Sequence, residues 1–297
     1  MIQSTCTLLT SAALKSEIKI DWSNVKPITH YPEFWLTKKI QQPEHYFENI
    51  AENENITSYV SNGNLAGRHD YPFKSALISQ MTFGDALCGA SLISRWAVLT
   101  AASCIDGSAS SIIILGASDI GNPEEPFQAR IEVQSTNYRI HPLYSRGVTN
   151  SDIGIVRFDF AIHVFTQAVN RINLPTPAMM NEVFAGLETL TMGFGKSTDV
   201  AVNYQYNLHF VALSTMTNTA CGIRLPLRID TSHICTSGIL RRGFCEGDVG
   251  APLVLVQGGI SYQIGIASLF PRSGCMTGEP SVFTRVTSFM AFIEQHM

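Results

Sequence analysis

The stretch Cys245-Glu246-Gly247-Asp248-Val249-Gly250-Ala251-Pro252-Leu253 places an Asp-Val pair between two glycines, immediately before an apolar run. Val249, at the centre of this loop, has no lone pair to attack a carbonyl and no proton to give a base. Two further segments stand upstream. Cys88-Gly89-Ala90-Ser91-Leu92-Ile93 continues to Trp96-Ala97-Val98-Leu99-Thr100-Ala101-Ala102-Ser103-Cys104, so Ser103 lies between an alanine and a cysteine. Ser151-Asp152-Ile153-Gly154-Ile155-Val156 sets an aspartate just ahead of an apolar strand-like run.

In this order and at these spacings, the three segments resemble the signatures of the chymotrypsin- and trypsin-like serine proteases over about residues 57–297. Leucine-terminated Cys245–Leu253 resembles the family's Gly-Asp-Ser-Gly-Gly-Pro loop with Val249 in the serine position. Ser103 takes the position of the family's catalytic histidine, and Asp152 that of its aspartate. The resemblance therefore implies a protease scaffold whose triad positions read Ser103, Asp152 and Val249. Backbone N–H groups of Gly247 and Val249 would form what remains of the oxyanion hole.

Composition agrees with a folded, β-rich domain. The chain has 297 residues, 45% of them hydrophobic and 15% charged, with a net charge of −4. There is no long basic run, which argues against nucleic acid or an anionic membrane as partner. No apolar stretch reaches the roughly 20 residues that span a bilayer. Short apolar runs separated by turn residues, such as Ser75–Met81, Ser111–Leu115, Ile153–Phe158 and Leu253–Gln257, predict an all-β sandwich or barrel. Val286, Phe289, Met290 and Ile293 fall at helical spacing and predict a terminal helix. The resemblance refines this to two six-stranded antiparallel Greek-key barrels, about 60–168 and 169–283, followed by a helix over 284–297.

Six of the seven cysteines lie within the family-like region, and spacing alone leaves 15 pairings open. The resemblance implies Cys88–Cys104, Cys221–Cys235 and Cys245–Cys275, and with them an oxidising, extracellular compartment. Reduced core thiols are the alternative. Residues 1–19 read as a signal peptide, but no basic residue precedes the apolar core and Ser and Thr interrupt it. Residues 20–59 are similar to the propeptides of insect digestive relatives, the alternative being a linker. Asn55-Ile56-Thr57 is a glycosylation acceptor. Val60 takes the place of the family's mature N-terminus, behind Tyr59 rather than a basic residue. Two roles stand open for Asp248: pairing with the ammonium that cleavage before Val60 would create, or capping local backbone in an uncleaved chain.

A serine hydroxyl becomes a competent nucleophile only when an imidazole takes its proton. Loss of one triad member costs on the order of a millionfold in turnover. An oxyanion hole alone leaves roughly 10³–10⁴-fold over water. Among the other histidines, His141 precedes Pro142 and reads as structural, while His69, His163, His209 and His233 sit in polar or turn-like contexts without metal-ligand spacing. Glu124 and Glu125 occupy a loop that binds calcium in some relatives; it reads here as solvated. Gly243 takes the floor of the specificity pocket and offers no acid to a basic side chain, and Ser268-Leu269-Phe270 takes its wall, with Phe270 bulky enough to block entry. The expectation is a secreted, monomeric protease homologue without hydrolytic activity, cofactor or metal, whose partner is a protein: a protease, an inhibitor or a protease substrate. The alternatives are a serine-type endopeptidase with an unconventional site and a storage or structural protein.

Overall fold

The computed structural model describes residues 18–30, 63–146, 149–163, 165–201, 203–271 and 273–297. Cys6, Asn55, Tyr59 and Val60 lie outside the described residues. The strands in chain order are β1 (Val25–Pro27), β2 (Asn64–Leu65), β3 (Lys74–Met81), β4 (Gly84–Leu92), β5 (Ala97–Thr100), β6 (Ser110–Leu115), β7 (Ala129–Gln134), β8 (Tyr138–Ile140) and β9 (Gly154–Arg157). These are followed by β10 (Glu188–Gly193), β11 (His209–Met216), helix α1 (Asn218–Arg224), β12 (His233–Thr236), β13 (Pro252–Gln257), β14 (Ile260–Leu269), β15 (Ser281–Arg285) and helix α2 (Met290–His296).

Two sheets carry these strands. The second closes: β10-β13-β14-β15-β12-β11 returns to β10, giving six strands in a barrel, with β2 added on the free edge of β11. The first runs β7-β6-β3-β4-β5-β9-β8 and takes β1 on β4. The second sheet is the expected six-stranded barrel; the first differs in being curled with seven strands on its path. No ladder joins β7 to β8 among the described residues; instead the Tyr138 hydroxyl, on three-residue β8, lies 2.6 Å from Ser111 Oγ on β6. Ile112-Ile113-Ile114 in β6 illustrates why these runs become strands, since β-branched side chains favour the pleated, half-buried surface.

β3 and β4 pair over their full lengths, Leu77 opposite Cys88 and Ile78 opposite Leu87. Their side chains join a hydrophobic core that extends continuously into the second sheet through Val249, Leu253, Ile266 and Phe283. Burying each such side chain contributes about 1.5–3 kcal/mol relative to exposure. The terminal helix begins later than the expected residue 284, because Thr284 and Arg285 pair with Ile266 and Gly265 in the β14–β15 ladder. A 3₁₀ turn over Val286–Phe289 then leads into α2, whose Met290, Phe292 and Ile293 are buried. No helix among the described residues is long and apolar enough to cross a membrane. The cysteines join as Cys88–Cys104, Cys221–Cys235 and Cys245–Cys275.

Candidate functional site

Strand pairing brings the three sequence segments together. β5 pairs antiparallel with β9, Thr100 opposite Gly154, so the chain leaving β5 and the chain entering β9 emerge side by side. Ser103 lies on the 3₁₀ turn Ala102–Cys104 after β5, and Asp152 two residues before β9. Asp152 is fully buried. The backbone N–H of Ser103 donates to its Oδ1 at 2.8 Å, and the Ser103 hydroxyl donates to Oδ2 at 3.1 Å. Ser268, expected on the pocket wall, donates its hydroxyl to the same Oδ2 at 2.6 Å. A carboxylate accepts; it cannot raise either hydroxyl to useful basicity, and a serine alcohol that donates to it gains no proton acceptor comparable to imidazole.

The Val249 loop closes against this pair from the second barrel. Gly247 and Gly250 adopt φ of +95° and +88°, a conformation glycine reaches without strain. Between them Val249 is wholly buried. Its carbonyl accepts from Gly89 N–H at 2.6 Å and lies 3.4 Å from Cys104 Sγ, next to Ser103 in sequence. The buried side chain offers only methyl groups where a nucleophile would stand.

Asp248 points the other way, into the body. Its Oδ1 accepts from Gly195 N–H at 2.8 Å and its Oδ2 from Cys245 N–H at 3.0 Å. A Cβ on Gly193 would fall 1.9 Å from Oδ1, so the end of β10 must be glycine there for the carboxylate to fit. Burial pushes the Asp248 carboxyl up to about 6, opposed by the two backbone donors and by Lys74. Lys74, at the start of β3, is itself buried; its ammonium donates to Ser75 O at 2.8 Å and stands 5.9 Å from the Phe194 ring. Desolvation lowers it to about 7, with Asp248 as the opposing charge. The sequence reading did not single out Lys74. The available signal was a lone cation inside the otherwise apolar and small run Pro72–Ile78.

Around the positions expected to form the specificity pocket, aromatic rings pack against one another. Phe270 is buried and meets Phe244 edge-on with centroids 5.6 Å apart, and Phe244 meets Phe283 at 5.0 Å. A Cβ on Gly243 would lie 2.9 Å from Ser281 Oγ, so even a methyl group there crowds the neighbouring strand.

The other groups fall elsewhere. His141 packs edge-on against Phe289 and Phe292 at 4.9 and 5.0 Å, and burial lowers its pKa. His209 and His233 are buried in β11 and β12 rather than in the polar or turn-like contexts expected. His233 Nδ1 lies 3.0 Å from Asp230 and its Nε2 lies 3.2 Å from Thr149 O, which occupies both nitrogens. Glu125 is buried rather than solvated: its Oε2 accepts from the N–H groups of Ser118 and Asp119 and from Gln128. The protein's own donors thus fill the carboxylate that a cation would need. Asp199 approaches Cys245 and Cys275, but their sulfurs are joined to each other and have no thiolate to offer a metal.

Known proteins resemble this chain in sequence and in fold. The chain is 33% identical to brachyurin of Leptuca pugilator over 227 residues, 76% of this chain and 93% of that protein. It is 33% identical to chymotrypsin-2 of Vespa crabro over 241 residues, 80% of this chain and 99% of that protein. Collagenase of Hypoderma lineatum matches at 28% over 265 residues, covering 88% and 93%. A solved collagenase structure superposes with a TM-score of 0.70 at 26% identity, covering 79% of this chain and 96% of that one. The family model described as Trypsin matches residues 60–293, which include every strand except β1 and all three segments of the site. By sequence and by fold, the chain belongs to the trypsin-like serine protease family.

Proposed function

We propose that this chain is a secreted member of its family that has lost peptide hydrolysis and acts by binding protein. The observation that carries the reading is the environment of Asp152: its carboxylate receives the hydroxyls of Ser103 and Ser268, and the loop whose Val249 carbonyl lies against Cys104 Sγ brings no hydroxyl to the Ser103 turn at Val249. Acyl transfer needs a side chain that forms a bond to carbon and a base that removes its proton. Neither triad position supplies one. Phe270 and Phe244 fill the primary specificity pocket in this reading, so a substrate side chain finds no room. Three disulfides suit an extracellular protein.

What survives is a scaffold with a protein-recognising surface and no reaction attached. Such a domain binds a protease, a protease inhibitor or a protease substrate without consuming it. Asp248 already accepts two backbone N–H groups and has Lys74 as an internal cation, so cleavage before Val60 is not required to order the Val249 loop.

A fluorophosphonate probe tests the reading. The purified chain is expected to show no covalent adduct by mass spectrometry under conditions that label an active relative completely. A stoichiometric adduct on any residue overturns it. The pair Ser103→His with Val249→Ser is expected to recover labelling only when Phe270→Gly is added, because ring removal reopens the pocket.

A further inference from the structure

Residues 18–30 lie outside the matched family domain, yet they are built into the body. β1 adds to β4 as a parallel strand, Val25 opposite Asp85, Lys26 opposite Ala86 and Pro27 opposite Leu87. Val25 and Ile28 are 3% and 2% exposed and belong to the main core. An Asx turn precedes the strand, with Asp21 accepting from the Ser23 N–H at 3.1 Å and from Asn24 Nδ2 at 2.7 Å. Trp22 meets Tyr204 at a tilt and Tyr206 edge-on, with centroids at 6.0 and 5.6 Å, and the Tyr204 hydroxyl donates to Trp22 O at 3.2 Å.

The edge this segment occupies borders the candidate site. β4 uses one edge for β3, and on the other β5 reaches only Ser91 and Leu92. Gly89 N–H is taken by Val249 O. Among the described residues, β1 is the strand that pairs with Asp85–Leu87 on this edge, and a strand edge that loses its neighbour recruits extended chains. Leu87 Cδ2 is 3.4 Å from where a Gly247 side chain would begin, so the edge runs directly into the Val249 loop. A cavity of about 510 Å³ is lined by Trp22 and Lys26 of the segment together with Lys196 and Tyr204 of the body.

We propose that Asp85–Leu87 is a polypeptide-docking edge, held in the uncleaved chain by residues 25–28 acting as a resident strap. The partner is an extended protein segment that pairs parallel with β4 and places two apolar side chains where Val25 and Ile28 sit, with one exposed residue and a proline between them. A proline suits the third position because strand edges tolerate a missing N–H. This rests on the protein-binding reading and gives that reading its recognition chemistry. The strap and the partner compete for one edge, so binding requires the strap to leave.

The test uses the full chain carrying Val25→Asp with Ile28→Asp, and a fluorescent synthetic peptide of residues 18–30 as probe. Fluorescence anisotropy is expected to show saturable binding to this variant at least tenfold tighter than to the unmodified chain, and none by a scrambled peptide. Equal binding to both chains, or none to a folded variant, overturns the proposal. Hydrogen exchange on the unmodified chain gives a second readout that needs no variant. Faster exchange at Asp85–Leu87 than at Leu77–Ile78 of β3 supports a strap that opens, whereas equal protection overturns it. An acyl adduct in the labelling experiment would remove the inactive reading and leave the strap standing; failed peptide binding would remove the strap and leave the inactive reading.

Discussion

Asp152 gathers the Ser103 N–H, the Ser103 hydroxyl and the Ser268 hydroxyl on one buried carboxylate. In a working triad such an aspartate orients an imidazole; here its donors tie the turn after β5 to β14 and so hold the two barrels together. Asp152→Ala is therefore expected to destabilise the fold by about 1.5–3 kcal/mol, the range for hydrogen bonds to a charged group and for buried donors left unsatisfied. Urea denaturation checks this, and an unchanged midpoint would contradict it. Ser103, Asp152 and Val249 were legible because each sits at a fixed offset within a motif whose other members are present. The bond of Ser268 to Asp152 was not legible: it crosses 116 positions in the chain and no local pattern encodes it. The bulk of Phe270 could be read from its identity, whereas its edge-on contact with Phe244 depends on how β14 meets the preceding loop.

β3 opens on a charged residue that its strand pattern does not explain, and this has a consequence for pH. Lys74 and Asp248 are both buried, and burial disfavours charge on each. Asp248 is raised to about 6, above its unfolded value near 4, so the folded state holds that proton more tightly and stability falls as pH rises from about 4 to about 6. Lys74 is lowered to about 7, below its unfolded value near 10.4, so the unfolded state binds more protons above pH 7 and stability rises from there upward. Thermal unfolding is thus expected to show a trough between pH 6 and pH 7, flanked by higher melting temperatures on both sides. The double variant Lys74→Met with Asp248→Asn should flatten it; a trough that persists in the double variant assigns it to other groups. Lys74→Met alone should be worse than the pair of changes together, because it leaves Asp248 without its cation. The end of the last strand shows a similar limit of sequence reading. Helical spacing from Val286 onward was correct in kind, but the ladder to β14 holds Thr284 and Arg285 as strand, and a one-dimensional period cannot see that competition.

The two sheets share one core, and three disulfides fasten chain segments at its rim. Their loops close over 16, 14 and 30 residues, for which chain entropy gives about 3 kcal/mol each. Together that is comparable with the whole stability of a typical domain, about 5–15 kcal/mol. Loss of all three is expected to leave the chain unfolded at 37 °C. The bridges are not equivalent in position. Cys221–Cys235 ties α1 to β12 in a small satellite cluster with Leu225, Leu269 and Val282. Cys88–Cys104 joins β4 to the turn that carries Ser103, and Cys104 Sγ touches Val249 O. Replacing each pair by alanine separates chain entropy from local support. Both double variants are expected to lose similar stability in guanidinium titrations, since their loops are nearly equal in length. Only the Cys88→Ala, Cys104→Ala chain should also lose amide protection at Gly89 and Ser103, because there the bridge fixes the groups that donate to Val249 and Asp152. It should release the edge at Asp85–Leu87 as well, through the same strand. Equal protection losses in the two variants would mean that the bridge beside the cleft acts through the unfolded chain alone.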